Sequence, residues 1–195
     1  MNAGTQREAR GEFAHLATIG DCVKQFLKDH GKEGTHDKVM PWVLKATNLR
    51  TAIERAVDGA MENGKKFHFG TCVRNSSKIE WTQMLVSRRK FIERCKDFEE
   101  VYDWGASLAP WGIGDFSKYV TAQRIAAYLK IEPKEYVYLH AGPRKGYKAL
   151  FGTNPKSFRV PKSIFPHEMR KLKPSKIEDM LCEFRETFPR IEWRA

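Results

Sequence analysis

Residues 104–118 read WGASLAPWGIGDFSK. Two glycines, Gly112 and Gly114, flank the single apolar residue Ile113 just before a helical pattern. A turn needs one glycine; two around an apolar residue suggest that something must come close to the backbone. Between two helices, such a bend aims consecutive amide N–H groups outward at the start of the second helix, where the helix dipole adds partial positive charge. A site of that kind grips a phosphate without reading sequence. Lys118, one turn into the helix, adds a cation. The spacing predicts a helix-hairpin-helix element: a helix ending near Trp104, the hairpin APWGIGDF over residues 109–116, and a helix from Asp115. The Asp115 carboxylate is a natural N-cap for that helix. The plainer alternative is a capping glycine and a tight loop, with Ile113 filling the core.

Working outward, helical spacing covers Glu8 to Asp29, carried by Phe13, Leu16, Ile19, Val23, Phe26 and Leu27. Glycines at Gly31 and Gly34 break it. Residues Asp37 to Glu62 read as one or two helices with Trp42, Val43, Leu49, Ile53 and Val57 inward. Residues Glu80 to Tyr102 read as one long helix whose stripe is Met84, Leu85, Phe91, Ile92, Cys95 and Phe98. The run GKKFHFGTCV from Gly64 fits neither period. After the helix from Asp115 to Lys130, EYVYLH reads as a short extended piece and RKGYKALFG as a short helix closed by Gly152. The proline- and lysine-rich stretch from Thr153 to Pro174 reads as an irregular basic surface. Ser175 followed by Glu178 reads as a capping box opening a last helix to about Phe188. The expected fold is all-α: one compact helical unit, residues 1–195, with lobes of about 1–102 and 103–195 sharing a DNA-binding cleft.

An apolar share of 41% supplies a core, and aromatics at 12% argue against disorder. A net charge of +11 repels itself and calls for a polyanionic partner. The surplus is uneven: from Arg144 to Lys176 there are ten Lys and Arg against one acid, Glu168. That is the footprint of nucleic-acid binding. The cysteines Cys22, Cys72, Cys95 and Cys182 form no Cys-x-x-Cys pair and read as free thiols. A Cys22, His30, His36 cluster matches no standard metal spacing, so no metal is expected. No apolar run reaches the ~20 residues that span a bilayer, and the opening MNAGTQREARGEF has no signal-peptide core. A cytoplasmic monomer with no membrane partner is the expectation.

Four blocks carry a resemblance: TNLRTAIER from Thr47, GIGDF followed by AQRIAAYL from Gly112, HAGPRKGYKALFG from His140 and IEDMLCEF from Ile177. In this order they resemble helix-hairpin-helix proteins that act on modified thymines in phage DNA, the α-glutamyl/putrescinyl thymine pyrophosphorylases and 5-hydroxymethyl-deoxyuridine DNA kinases. That group is similar to the helix-hairpin-helix DNA glycosylases. The blocks span about two thirds of the chain, Thr47 to Phe184. The chain departs from the pattern at Lys118, where the family has a small residue. It departs again at Ala127-Tyr128-Leu129, which lacks the acid of a Thr-Asp-Leu block, and at Val137-Tyr138-Leu139-His140, which lacks the glycosylase aspartate.

The resemblance implies a two-lobed, glycosylase-like fold and chemistry on a base flipped out of the stack. Cleaving an N-glycosidic bond builds positive charge on the sugar, so a carboxylate facing it lowers the barrier. Asp115, beside the hairpin, and Glu183, in the LCEF block, are the candidate catalytic carboxylates, with Asp103 behind them. His140 opens the HAGPRKG turn and is the third catalytic candidate. Gly112, Ile113, Gly114, Lys118, Arg144, Lys145 and Lys148 are the expected DNA contacts. Asn48, Arg50, Tyr128 and Tyr138 are candidates to line the base pocket through hydrogen bonds and stacking. No phosphate-binding loop of the Gly-x-x-x-x-Gly-Lys-Ser/Thr type is present, which disfavours a kinase. The expected function is a cofactor-free, monofunctional DNA glycosylase. It would excise a hydroxymethylated or glucosylated pyrimidine from double-stranded DNA, in defence against phage. A nucleotide-dependent base kinase or pyrophosphorylase and a non-catalytic DNA-binding module are the alternatives.

Overall fold

A computed structural model of the chain describes residues 13–31, 37–66 and 73–191. The expected helical start at Glu8, the loop residues Gly34 and His36, the ambiguous Phe67 and Phe69, and Cys72 lie outside those residues. The described chain is mostly helical: α1 (Ile19–His30), α2 (Met40–Leu44), α3 (Leu49–Asp58), α4 (Asn75–Ser87), α5 (Arg89–Ile92), α6 (Phe98–Ser107), α7 (Asp115–Tyr128), α8 (Ala141–Phe151) and α9 (Pro174–Glu183). The strands β1 (Tyr136–Tyr138) and β2 (Arg159–Pro161) pair antiparallel, Val137 opposite Val160. The expected all-α class stands, with this small ribbon added. Among the described residues no helix is long and apolar enough to cross a membrane.

The chain divides into two compact units, one formed by Met1–Gly34 with Pro133–Ala195 and the other by Thr35–Glu132. The expected lobe boundary at residues 102 and 103 therefore falls inside the second unit. The reason is that the helices on either side of it pack on each other. Phe98 of α6 meets Tyr119 of α7 edge-on at 5.9 Å, and the Trp81 indole donates to the Gly105 carbonyl at 3.0 Å.

In the second unit α7 is buried on most sides, through Tyr119, Val120, Thr121, Ala122, Arg124, Ile125 and Ala126. A buried Arg124 can persist there because it is paired with a carboxylate and each of its three nitrogens is bonded. Its Nε and Nη2 donate to the two Asp37 carboxylate oxygens at 2.6 and 3.0 Å, and its Nη1 donates to the Ala56 carbonyl at 2.8 Å. The single long helix expected over residues 80–102 is three segments. The first break is at Arg88, the C-cap of α4, and Asp97 starts α6 afresh by accepting the Glu100 amide at 2.8 Å. The pieces rotate relative to the assumed stripe, so Met84 and Phe91 are exposed while Trp81, Leu85, Ile92 and Phe98 are buried.

In the first unit α1 begins at Ile19, because Thr18 and Asp21 form a reciprocal capping box. Phe13 and Leu16 join its core from the preceding turn. That core also takes Phe26, Val137, Leu139, Val160, Phe165, Met180, Phe184 and Phe188. The capping box expected at Ser175 and Glu178 does not form. Lys173 occupies the N-cap of α9, Pro174 takes the first helical position, and Ser175 lies within the helix.

Helices α8 and α9 touch backbone to backbone. A Cβ built on Gly146 lies 1.9 Å from the Leu181 carbonyl oxygen, whereas one on Gly142 meets the Cys182 Sγ at 2.6 Å. A side-chain sulfur can rotate away; a carbonyl inside a helix cannot. Gly146→Ala is therefore expected to cost about 3 kcal/mol by overpacking, a drop in Tm of roughly 6–12 °C. Gly142→Ala should cost clearly less, and thermal melts of the two variants compare them directly.

Candidate functional site

Each compact unit carries one group of candidate residues. In the second, the bend between α6 and α7 is a β-turn: the Ile113 amide donates to the Pro110 carbonyl at 3.2 Å, and Gly112 sits at φ +91°. Only glycine adopts that value without strain. Gly112 and Gly114 are exposed, while Ile113 is 5% exposed and packs into the core. Ile113 thus anchors the turn, and neither its side chain nor its bonded amide is offered to a ligand. Gly114, and not Asp115, is the N-cap of α7, and no side chain caps it. The first-turn amide groups of α7 have no intrahelical acceptor. Asp115 is the first helical residue, exposed, with Lys118 Nζ 3.5 Å from its Oδ1. That pairing places a cation beside the turn and draws the Asp115 carboxylate toward it.

The predicted pocket residues of this unit serve other ends. Asn48 caps α3 by accepting the Thr51 amide at 2.9 Å, and Arg50 is an exposed residue paired with Glu54 at 3.0 Å. Tyr128 is half-buried at the end of α7, and Asp103 is exposed on α6. A narrow, half-open space of about 20 Å³ beside Ile113, Trp81 and Arg124 has room for one water and not for a base. A groove of about 370 Å³ lies between Lys38, Pro41, Trp42, Met61, Glu62 and Asn63. Its Trp42 ring is backed by the Arg55 guanidinium, 3.4 Å from the ring centroid. None of the four predicted pocket residues lines either space.

In the first unit the N-terminus of α8 carries His140 at the N-cap, then Arg144, Lys145 and Lys148, all three exposed. Tyr138, one strand earlier, is fully buried against Phe158 with the rings edge-on at 5.8 Å. It is a core residue, closed to an incoming base.

Helix α9 gathers several titratable groups. His140 Nε2 lies 2.5 Å from Glu178 Oε1, and His30 Nε2 lies 2.6 Å from Glu183 Oε2. The side chains of Glu178 and Glu183 are each 8% exposed, while those of His140 and His30 keep 15% and 21%. Solvent therefore reaches both pairs on the imidazole side. Asp179 lies between the two glutamates in sequence. Burial first, and then the Glu178 and Glu183 carboxylates, push its carboxyl up to about 8, against the opposing pull of Lys176. Burial and the same acidic neighbours also raise the Cys182 thiol, so it stays protonated and is a poor nucleophile. Two of the predicted catalytic residues, Glu183 and His140, thus meet the same helix, and Asp115 does not belong to this unit. Glu178, Asp179 and His30 were missed. Glu178 was assigned to a helix cap, and His30 carries no local sign that it meets a residue 153 positions later.

The chain matches no known protein-family model, no curated protein and no solved structure.

The Asp179 carboxyl has a consequence for stability. The unfolded chain loses this proton near pH ~4. The folded chain holds it up to about pH 8. Between those values the folded state binds more protons, so stability falls as pH rises through the window. Asp179→Asn removes this dependence. Urea midpoints measured from pH 4 to 8 should fall more steeply for the native chain than for the variant, and the variant should be the more stable of the two at pH 8.

Proposed function

We propose that this chain is a monofunctional DNA glycosylase acting on a modified pyrimidine. What carries the reading is the α9 cluster, in which Glu183, Asp179 and the His140–Glu178 pair lie within one unit. A DNA-binding module has no need of buried carboxylates held against imidazoles, and burying them costs folding energy. Perturbed titrations of this kind concentrate where acid–base chemistry is done.

The chemistry divides among these groups. Glu183, oriented by His30, faces the positive charge that builds on the sugar carbon C1′. Water attacks that carbon and gives its proton to the His140–Glu178 pair. The C1′–N1 bond breaks and its electron pair leaves with the base. Asp179, still protonated near neutral pH, hands its proton to the departing base. The products are a free base and an abasic site, with no cofactor. DNA enters the reading through the charge of +11, through Arg144, Lys145 and Lys148, and through the uncapped start of α7. A bulky hydroxymethylated or glucosylated pyrimidine, as in phage DNA, is the proposed substrate.

The test is incubation with hydroxymethylated, glucosylated and unmodified DNA, without nucleotide or metal. Alkali-labile abasic sites in modified DNA alone are expected, and Glu183→Gln should lower their rate at least 100-fold. Product that needs ATP and Mg²⁺ means a base kinase; binding without product means a module. Independently, Lys145→Ala with Lys148→Ala should flatten the dependence of log affinity on log salt by about one unit per lost phosphate contact. An unchanged slope removes both lysines from the interface.

A further inference from the structure

Trp111 is 91% exposed, whereas Trp81 is 1% exposed and hydrogen-bonded in the core. A whole indole in water is rarely left without a use. Its place in the chain is also fixed. Pro110 and Ile113 close the turn through the 3.2 Å backbone bond, and Gly112 at φ +91° takes the third position. Trp111 is the remaining corner of that turn. The buried Ile113 holds the turn from below, so the ring is presented on a rigid mount and not on a loose loop. Directly after it come the exposed Gly112 and Gly114 and the uncapped start of α7, with Lys118 one turn on.

An exposed aromatic plane beside amide donors fits one kind of ligand in a chain of charge +11: a polyanion that also carries flat apolar faces. A nucleic-acid strand is that ligand. Its phosphate meets the amides while the base next to it stacks on the indole. Stacking needs a base that has left its neighbours, because bases inside a regular duplex already cover both their faces. Every base has such a face, so the contact is tolerant of sequence.

We propose that Trp111 is a stacking platform for an unpaired nucleobase, giving the chain a preference for single-stranded or locally opened DNA over uniform duplex. The inference rests on the reading of this protein as DNA-binding and adds the strand state that it recognises.

Fluorescence anisotropy with a labelled 12-nucleotide strand, and with the same strand in duplex, tests it. Because the side chain lies in solvent, Trp111→Ala should melt like the native chain. It is expected to bind the single strand about tenfold more weakly, the loss of one stacked base, and the duplex with little change. Its salt dependence should match that of the native chain, since no charge is lost. Trp111→Phe should recover most of the affinity. Native tryptophan emission should fall on titration with the strand by more than that of Trp111→Phe. If Trp111→Ala binds the single strand as tightly as the native chain, while the double lysine variant binds it more weakly, the platform is refuted and DNA binding stands. If the native chain binds neither form of DNA, both readings fall together. Equal weakening of single strand and duplex also overturns the proposal, because the contact would not then depend on an unpaired base.

Discussion

The close approach of α8 to α9 is the constraint on which the candidate centre depends. Gly146 lets the two backbones touch, because any side chain there would strike the Leu181 carbonyl. That contact fixes how far the N-terminus of α8 stands from α9, and His140 occupies that N-terminus. The 2.5 Å pair between His140 and Glu178 follows from it. From the other end of the helix, Glu183 takes His30, the last residue of α1. Helix α9 is thus clamped by two imidazoles from segments far away in sequence. Its acids are held in place by packing, and it is packing that keeps them out of water. Loosening the helices would change both the geometry and the titration of the site at once.

The second unit relies on a comparable device with a different outcome. Arg124 forks onto Asp37 and reaches the Ala56 carbonyl, tying the middle of α7 to the turn ahead of α2 and to the end of α3. All its bonds are to groups of the same unit, and it is 3% exposed. Removing either partner would leave a buried charge unanswered, at a cost of about 3–5 kcal/mol. Here the buried pair holds a scaffold and leaves no group free for chemistry. In the first unit the buried acids face titratable imidazoles that remain open to solvent on one side. That difference in exposure separates the α9 group, the proposed reaction centre, from the Arg124 group, a fastening.

Local signals were readable in the sequence, and long-range ones were not. The helix from Asp115, the turn at Gly112, the extended piece at Tyr136 and the helix closed by Gly152 all depend on neighbours within a few positions, and each was found. The stripe assumed over residues 80–102 failed because the helix breaks at Arg88 and starts afresh at the Asp97 cap, interruptions that periodicity does not weigh. The lobe boundary failed because chain ends 1–34 and 133–195 join in one unit, a pairing across the whole intervening segment. Glu178 shows the limit most clearly. Ser175 and Glu178 have the spacing of a capping box, yet Lys173 and Pro174 start the helix earlier and the carboxylate turns to His140. A glutamate that looked occupied locally was the one available to a distant histidine.

A chain of +11 would be expected to bury few acids, since cations on the surface stabilise exposed carboxylates. Here the reverse is seen on α9: Glu178 and Glu183 are buried, and Asp179 is held protonated to about pH 8. The cations Arg144, Lys145 and Lys148 stay in solvent on the next helix. In the proposed reading, such sorting keeps the reacting acids from repelling a phosphate backbone while the cations meet it. Retention of the Asp179 proton also leaves that carboxyl able to give it up once a substrate excludes water from it.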